Sequence, residues 1–249
     1  MTLLALENLT LRRKDRLVLD NITLTCREGE FIGLIGPNGA GKNTFLRAAL
    51  GLLPARGRST PATMTPAARA KAAAFLPQTR EIAWPVPVAD IVALGRAPHS
   101  GAGADADGAA VERALSRMGL ADFRDRSATA LSGGEQARVL IARVLAQETP
   151  LLLADEPVAG LDPEAQLRTM QVFAALAAEG RGVIASIHDL GLAAQHCTRL
   201  VMLDHGRVVA DAPPRDVLTD DLLARVFGVR GYHADTPDGP VFQPLAVIR

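Results

Sequence analysis

Gly36-Pro37-Asn38-Gly39-Ala40-Gly41-Lys42-Asn43-Thr44 stands between two runs of very different texture. Before it, Phe31-Ile32-Gly33-Leu34-Ile35 reads as a short buried strand. After it, Phe45-Leu46-Arg47-Ala48-Ala49-Leu50 reads as a helix closed by Gly51. Strand, glycine-rich turn and helix in that order make a phosphate cradle. The glycines let the backbone curl so that successive N–H groups face one anion. The helix start adds its dipole, and Lys42 brings a positive charge to the terminal phosphates. The ligand this implies is a nucleoside triphosphate.

One position breaks the pattern. The residue after the lysine is normally Ser or Thr, because its hydroxyl is a ligand of the Mg2+ that bridges the outer phosphates. Here it is Asn43. An amide oxygen can coordinate Mg2+, but the side chain is longer and the ion demands near-ideal octahedral geometry.

Towards the N-terminus, Leu3–Leu6, Leu17–Leu19 and Ile22–Leu24 are short apolar runs separated by polar turns, one of them Arg12-Arg13-Lys14-Asp15-Arg16. They predict a small antiparallel hairpin feeding the Phe31–Ile35 strand. Downstream of Gly51 a Pro/Gly/Ala-rich segment leads to Lys71–Gln78, a further short strand with Gln78 at its end. From about residue 79 to 148 strand-like runs are absent. Val88–Arg96 and Ala109–Met118 read as helices, with a small-residue loop at Ser100–Gly108, and the whole reads as a helical insertion. Trp84 in the rigid Trp84-Pro85-Val86-Pro87 segment is either the core anchor of that insertion or part of a contact surface spanning Trp84–Arg96.

Leu131-Ser132-Gly133-Gly134-Glu135-Gln136 opens a long helix running through Ala146. Ser132 and Glu135 have capping-box spacing, which fixes the helix start at Gly133 and makes a second helix N-terminus suited to an anion. Leu151-Leu152-Leu153-Ala154 is a buried strand that delivers Asp155 and Glu156 to its C-terminal end, where ligands of open α/β sheets sit. Asp162 and Pro163 start the next helix, whose inner face is read as Leu167, Met170, Ala174 and Ala177 and which stops at Gly180. The strand Gly182–Ile187 ends at His188, a position open to a structural or a catalytic role. Leu200–Leu203 and Arg207–Ala210 form a hairpin about Asp204-His205-Gly206. A helical stretch Asp216–Phe227 and an irregular end complete the chain.

The 249 residues hold enough apolar side chains, 48%, for a substantial core, and 22% are charged. Lys plus Arg and Asp plus Glu both number 27, so no net field recommends nucleic acid or an acidic membrane surface. Cys26 and Cys197 stand in apolar surroundings without metal-ligand spacing and read as buried free thiols of a reducing compartment. The N-terminal residues lack the pattern of a secretory signal, and no apolar run approaches the ~18–20 residues that span a bilayer. The expected location is the cytoplasm.

Taken together, GPNGAGK at 36–42, Gln78, LSGGEQ at 131–136, LLLADEP at 151–157, Gly160-Leu161-Asp162 and His188 resemble the ATP-binding subunit of an ABC transporter, over nearly the whole chain. Val92-Ala93-Leu94-Gly95-Arg96 with Pro98-His99, and Ala210–Pro214 with Val217-Leu218-Thr219, resemble the importers of iron-siderophores, haem and cobalamin. The resemblance implies an α/β fold: a P-loop NTPase (RecA-like) core with an N-terminal antiparallel β-subdomain and an inserted α-helical subdomain. It implies one ATPase domain over 1–249, with the nucleotide-binding core in about 1–78 and 149–249 and the helical insertion in about 79–148.

It further implies ATP and Mg2+ as cofactors and a head-to-tail homodimer. Each ATP would lie between Gly36, Pro37, Asn38, Gly39, Ala40, Gly41, Lys42, Asn43 and Thr44 of one copy and Ser132, Gly133, Gly134 and Glu135 of the other. Asn43, Gln78 and Asp155 would hold the metal. Glu156 would be the general base, with Gln78 and His188 as its catalytic companions, and Asp162 would act across the interface. Integral membrane permease subunits would hold the chain at the inner face of the cell membrane, with a substrate-binding protein as indirect partner and no nucleic acid.

The chain departs from the family at four places. Asn43 replaces the metal-binding hydroxyl. Arg13 stands where many relatives stack an aromatic residue on adenine, and is read either as a stacking guanidinium or as a solvated turn. Ala159 replaces a small hydroxyl near Asp162, and Ala154 precedes the acidic pair. Two other functions stay open on these residues: a soluble ABC ATPase that remodels a macromolecular complex, and a nucleotide-gated binder that hydrolyses weakly because of Asn43.

Overall fold

The computed structural model describes residues 1–78, 82–99, 101, 103–237 and 239–248. Strands β1 (Thr2–Arg13) and β2 (Arg16–Arg27) form the expected antiparallel hairpin. Their buried leucines do not alternate evenly: the phase slips between Leu6 and Leu9 and between Leu19 and Ile22. The slip coincides with register shifts, and Asn8 and Asn21, both at φ +53°, take up the extra residue on each strand.

Strand β3 (Phe31–Ile35) is buried throughout and is followed by α1 (Lys42–Ala49). The segment after Gly51 contains a strand that the sequence did not announce, β4 (Arg56–Ser59), which pairs with the free edge of β1. Arg-Gly-Arg-Ser has no apolar or β-branched residue; its backbone pairing and the buried Ser59 Oγ, which donates to the Ala49 carbonyl, place it there. Helix α2 (Pro66–Ala72), capped by Thr65, takes Lys71 and Ala72 out of the expected strand, and β5 is confined to Ala73–Leu76.

Between Leu76 and Leu151 the described residues form helices: α3 (Val88–Ala93), which continues as a 3-10 turn to His99, then α4 (Ala104–Arg117) and α5 (Gly133–Ala146). Residues 79–81 of the expected insertion, and Ser100 and Ala102 of the expected small-residue loop, lie outside the described residues. Helix α4 starts five residues before Ala109. Asp105 and Asp107 occupy its first turn, where carboxylates favour the helix dipole.

Strand β6 (Leu151–Asp155), α6 (Pro163–Ala178), β7 (Gly182–Ser186), α7 (Leu190–His196), β8 (Arg199–Asp204) and β9 (Arg207–Ala212) follow. They complete a six-stranded sheet ordered β5-β6-β7-β3-β8-β9, parallel except for β9. The inner face of α6 is Ala165, Thr169, Met170, Phe173, Leu176 and Ala177, while Leu167 is 41% exposed. The arc is rotated from the expected one by Phe173, whose ring meets Phe31 edge-on at 6.0 Å.

The C-terminal part also differs from expectation. Residues 214–227 form three short turns of helix, because Thr219 restarts the chain as a new cap. The end is a hairpin, β10 (Val229–Thr236) and β11 (Gly239–Val247), anchored on α7 by buried Phe242. Gly231, Pro240 and Pro244 hide its strand pattern in the sequence.

The sheet separates two cores. Leu152 and Ala154 face the helical side, with Val139, Met170 and Phe173. Leu151 and Leu153 face α1 and the β1–β2 hairpin, with Phe45, Leu46 and Leu24. Asp155 continues the second set by the two-residue period of a strand, and so stands on the side where α1 begins.

Candidate nucleotide-binding site

The turn between β3 and α1 is built as a cradle by its backbone. Gly36 has φ +147°, and a Cβ there would lie 2.1 Å from the carbonyl oxygen of Leu203, so only glycine fits. Gly41, at φ +105°, is the N-cap of α1 and gives it no side-chain cap. The first N–H groups of α1 are therefore left for something other than the chain's own side chains. The Ala40 N–H donates to the Pro37 carbonyl at 3.1 Å, and the Gly206 N–H to that of Ala40 at 3.1 Å, which ties the loop to the β8–β9 turn.

Lys42 is buried, and its Nζ donates to the carbonyls of Gly36 at 2.6 Å and Pro37 at 3.2 Å. Burial lowers its pKa, against the raising influence of Glu156 and Asp155. A cavity of about 450 Å3 opens over this loop, lined by Asn38 to Thr44, Asp155, Glu156 and His188 from the sheet side and by Arg13 from the β1–β2 turn.

The acidic pair is held from several elements at once. Asp155 and Ser186 are register partners on β6 and β7, so their side chains share a face. Ser186 Oγ donates to Asp155 Oδ1 at 2.7 Å and accepts the Glu156 N–H at 2.8 Å. Glu156 itself sits at φ +48°, an unfavourable region for a non-glycine residue and one that recurs at functional sites. Its Oε1 is 2.7 Å from His188 Nε2, and its Oε2 accepts Gln78 Nε2 at 2.9 Å. Asn43 Nδ2 donates to Asp155 Oδ2. Gln78, Asn43, Asp155, Glu156 and His188 thus form one connected constellation. Ser186 was missed by the sequence reading, since nothing local marks a serine at the end of an apolar strand.

The residues named for metal present a mismatch. A carboxylate only accepts hydrogen bonds, so the amides of Asn43 and Gln78 must turn their NH2 groups towards Asp155 and Glu156. Each oxygen of Asp155 accepts a hydrogen bond, one from Asn43 and one from Ser186. Among the described residues, no three of His, Cys, Asp and Glu are grouped to hold a metal ion. As they stand, these donors do not suit Mg2+, which binds through oxygen lone pairs.

The second helix start is a different kind of surface. Ser132 Oγ accepts the Glu135 N–H at 3.3 Å, and Glu135 Oε2 accepts the Ser132 N–H at 2.7 Å, a complete capping box. That hydrogen bond lowers the Glu135 pKa. Ser132 and Gly133 are exposed, and a Cβ at Gly133 or Gly134 would meet open space. Asp162 caps α6 through the Ala165 N–H at 2.9 Å. Neither Ser132–Glu135 nor Asp162 lines the cavity of the same chain. Trp84 is 74% exposed, which rules out a core anchor, while Val88, Ile91, Val92 and Arg96 of the expected Trp84–Arg96 surface are buried.

Residues 19–159, more than half of the chain, match the family model described as ABC transporter. The chain belongs to the ABC transporter family. That membership agrees with the resemblance read from the motifs. This ABC chain is 44% identical over 221 residues to the cobalamin import ATP-binding protein of Halobacterium salinarum, an alignment covering 86% of this chain and 56% of the relative. It is 41% identical over 241 residues to the hemin import ATP-binding protein of Pseudomonas aeruginosa, covering 91% of this chain and 93% of the relative.

The fold matches a transporter assigned to the metal-chelate type, in an inward-facing conformation, with TM-score 0.84 at 24% identity over 99% of this chain and 98% of that one. It also matches a dimeric ATP-binding cassette in a post-hydrolysis state with ADP and Pi, with TM-score 0.75 at 26% identity over 85% of this chain and 99% of that one. Buried Cys26 and Cys197 are free thiols, and burial raises both pKa values, that of Cys26 to about 12. No helix among the described residues is long and apolar enough to cross a membrane.

Proposed function

We propose that this chain is the ATP-binding subunit of an ABC importer and hydrolyses ATP slowly to drive uptake of a cobalamin-, haem- or iron-siderophore-type solute. The observation that carries this reading is the constellation itself: a helix start without a side-chain cap and a buried lysine share one cavity with two carboxylates delivered by β6. The relatives' names support cobalamin and hemin among these solutes.

In this reading the N–H groups at Gly39–Thr44 and the Lys42 ammonium bind the phosphates. Glu156 takes the proton of the attacking water, which Gln78 helps to orient. His188, already paired with Glu156, reaches the γ-phosphate and holds the closed geometry. Ser186 is a positioning residue, since it fixes Asp155 and the Glu156 backbone together. Arg13 flanks the adenine end of the cavity. Asn43 and Gln78 turn N–H donors to the carboxylates and Asp155 is hydrogen-bonded through both oxygens, so these residues present no ready shell for Mg2+.

The site is half of a composite. Ser132, Gly133, Gly134 and Glu135, with Asp162, would complete it from a second copy arranged head to tail. A dimeric relative bound to ADP and Pi supports that arrangement. The domain plan follows: a nucleotide-binding core in about 1–78 and 149–249, and a helical insertion in about 79–148 whose exposed Trp84 and Leu94 meet permease subunits at the inner face of the membrane. A substrate-binding protein would hand over the solute on the far side, with no nucleic acid involved.

A nucleotide-gated binder with weak hydrolysis is the second reading, favoured by the Asn43–Asp155 contact. Co-purification with a permease, followed by phosphate release from ATP by the assembled complex, tests both. Turnover stimulated by the permease and its solute is expected. A complex that binds ATP and never releases phosphate would leave only the second reading.

A further inference from the structure

Asp155 is 2% exposed, and its two oxygens accept hydrogen bonds from Asn43 Nδ2 and Ser186 Oγ. A buried carboxylate beside a phosphate site is a liability for binding, because like charges repel strongly where water is scarce. A serine hydroxyl at position 43 would serve the carboxylate and a cation from one atom, donating its proton and offering a lone pair. The amide of Asn43 divides these tasks. The atom facing Asp155 is an NH2 with no lone pair to give, and its partial positive charge meets the carboxylate directly.

We infer that Asn43 makes nucleotide binding by this chain nearly independent of divalent cation, its amide N–H bonding Asp155 in the cation's place. The inference rests on the nucleotide site proposed above and concerns its selectivity: the bound species is the free nucleoside triphosphate as readily as its magnesium complex. Asn43 is exposed on the first turn of α1 and lines the cavity, so its side chain can be exchanged without repacking a core.

The test is the affinity for ATP in Mg2+ buffer and in EDTA, by calorimetric titration of the native chain, Asn43→Ser and Asn43→Ala. For the native chain the two affinities are expected to agree within about threefold. In Asn43→Ser, Mg2+ should tighten binding about tenfold or more. In Asn43→Ala, which lacks the donor, affinity in EDTA should fall about tenfold below native, as expected for the loss of a charge-assisted hydrogen bond. A native chain whose affinity rises with Mg2+ as much as that of Asn43→Ser would overturn the inference and leave the nucleotide site standing. No ATP binding in either buffer would overturn both.

Discussion

The starts of α1 and α5 are both glycine-rich helix N-termini, yet the chain finishes them in opposite ways. At α1 the N-cap is left-handed Gly41, no side chain caps the helix, and the first turn lies in a cavity with Lys42, Asp155 and Glu156. At α5 the Ser132–Glu135 capping box satisfies the end, and the surface is open. One end leaves its N–H groups to a ligand held in its own chain's cavity, and the other is stable alone and available to something outside. Ser132–Glu135 do not line the cavity over α1, and under the proposed head-to-tail pairing each chain would supply half of a site.

Breaking the first end should cost most. Glu156→Gln is expected to lower ATP hydrolysis by about 10²–10⁴-fold, the usual share of a general base, while leaving ATP affinity close to native. Phosphate release and equilibrium titration separate the two effects. Lys42→Ala should weaken ATP binding about 100-fold, the equivalent of about 3 kcal/mol for a lost charged hydrogen-bond donor. Asn43→Ser sharpens the same end: restoring the hydroxyl should raise hydrolysis roughly 10- to 100-fold, about 1.4–3 kcal/mol of barrier. An unchanged rate would remove Asn43 from the account.

The second end should respond more gently in the isolated chain. Ser132→Ala is expected to cost about 1 kcal/mol of stability by loss of the cap, read from thermal unfolding, with no change in the ATP affinity of a single chain. The smallest effect concerns Glu135. Its folded pKa is lowered by the Ser132 N–H, so its contribution is present above the unfolded value of about 4.3 and fades as pH falls through the folded one. The stability difference between native and Glu135→Gln should therefore be present at pH 7 and vanish in acid.

Much of this contrast was legible in the residues. A strand, a glycine turn and Lys42 are local patterns, and so is the Ser132–Glu135 spacing, because helix starts are specified within four residues. Asp155 and Glu156 were visible as polar residues ending an apolar strand. Ser186 was not, because its meaning depends on pairing in register with Asp155, a residue 31 positions away. The turn of the Asn43 amide towards Asp155 is likewise set by that meeting. Strand β4 and the β10–β11 hairpin escaped for another reason. Arg56, Gly57 and Arg58 fill most of β4, and Gly231, Pro240 and Pro244 interrupt the β10–β11 pattern, so pairing on an edge leaves little trace in side-chain pattern. Leu167 was misplaced because helical period gives the width of an apolar arc more firmly than its direction, which Phe173 and Phe31 decide.

The central claim is that the two helix starts serve one nucleotide from two chains. It is tested most directly by mixing Lys42→Ala with Ser132→Arg, both in a Glu156→Gln background that slows turnover, and measuring size by light scattering with ATP. In the mixture one site keeps a native cradle on one chain and a native Ser132 on the other, whereas each variant alone has only damaged sites. The account predicts ATP-dependent dimers in the mixture and monomers for each variant alone. Monomers in the mixture, or dimers of either variant alone, would contradict it.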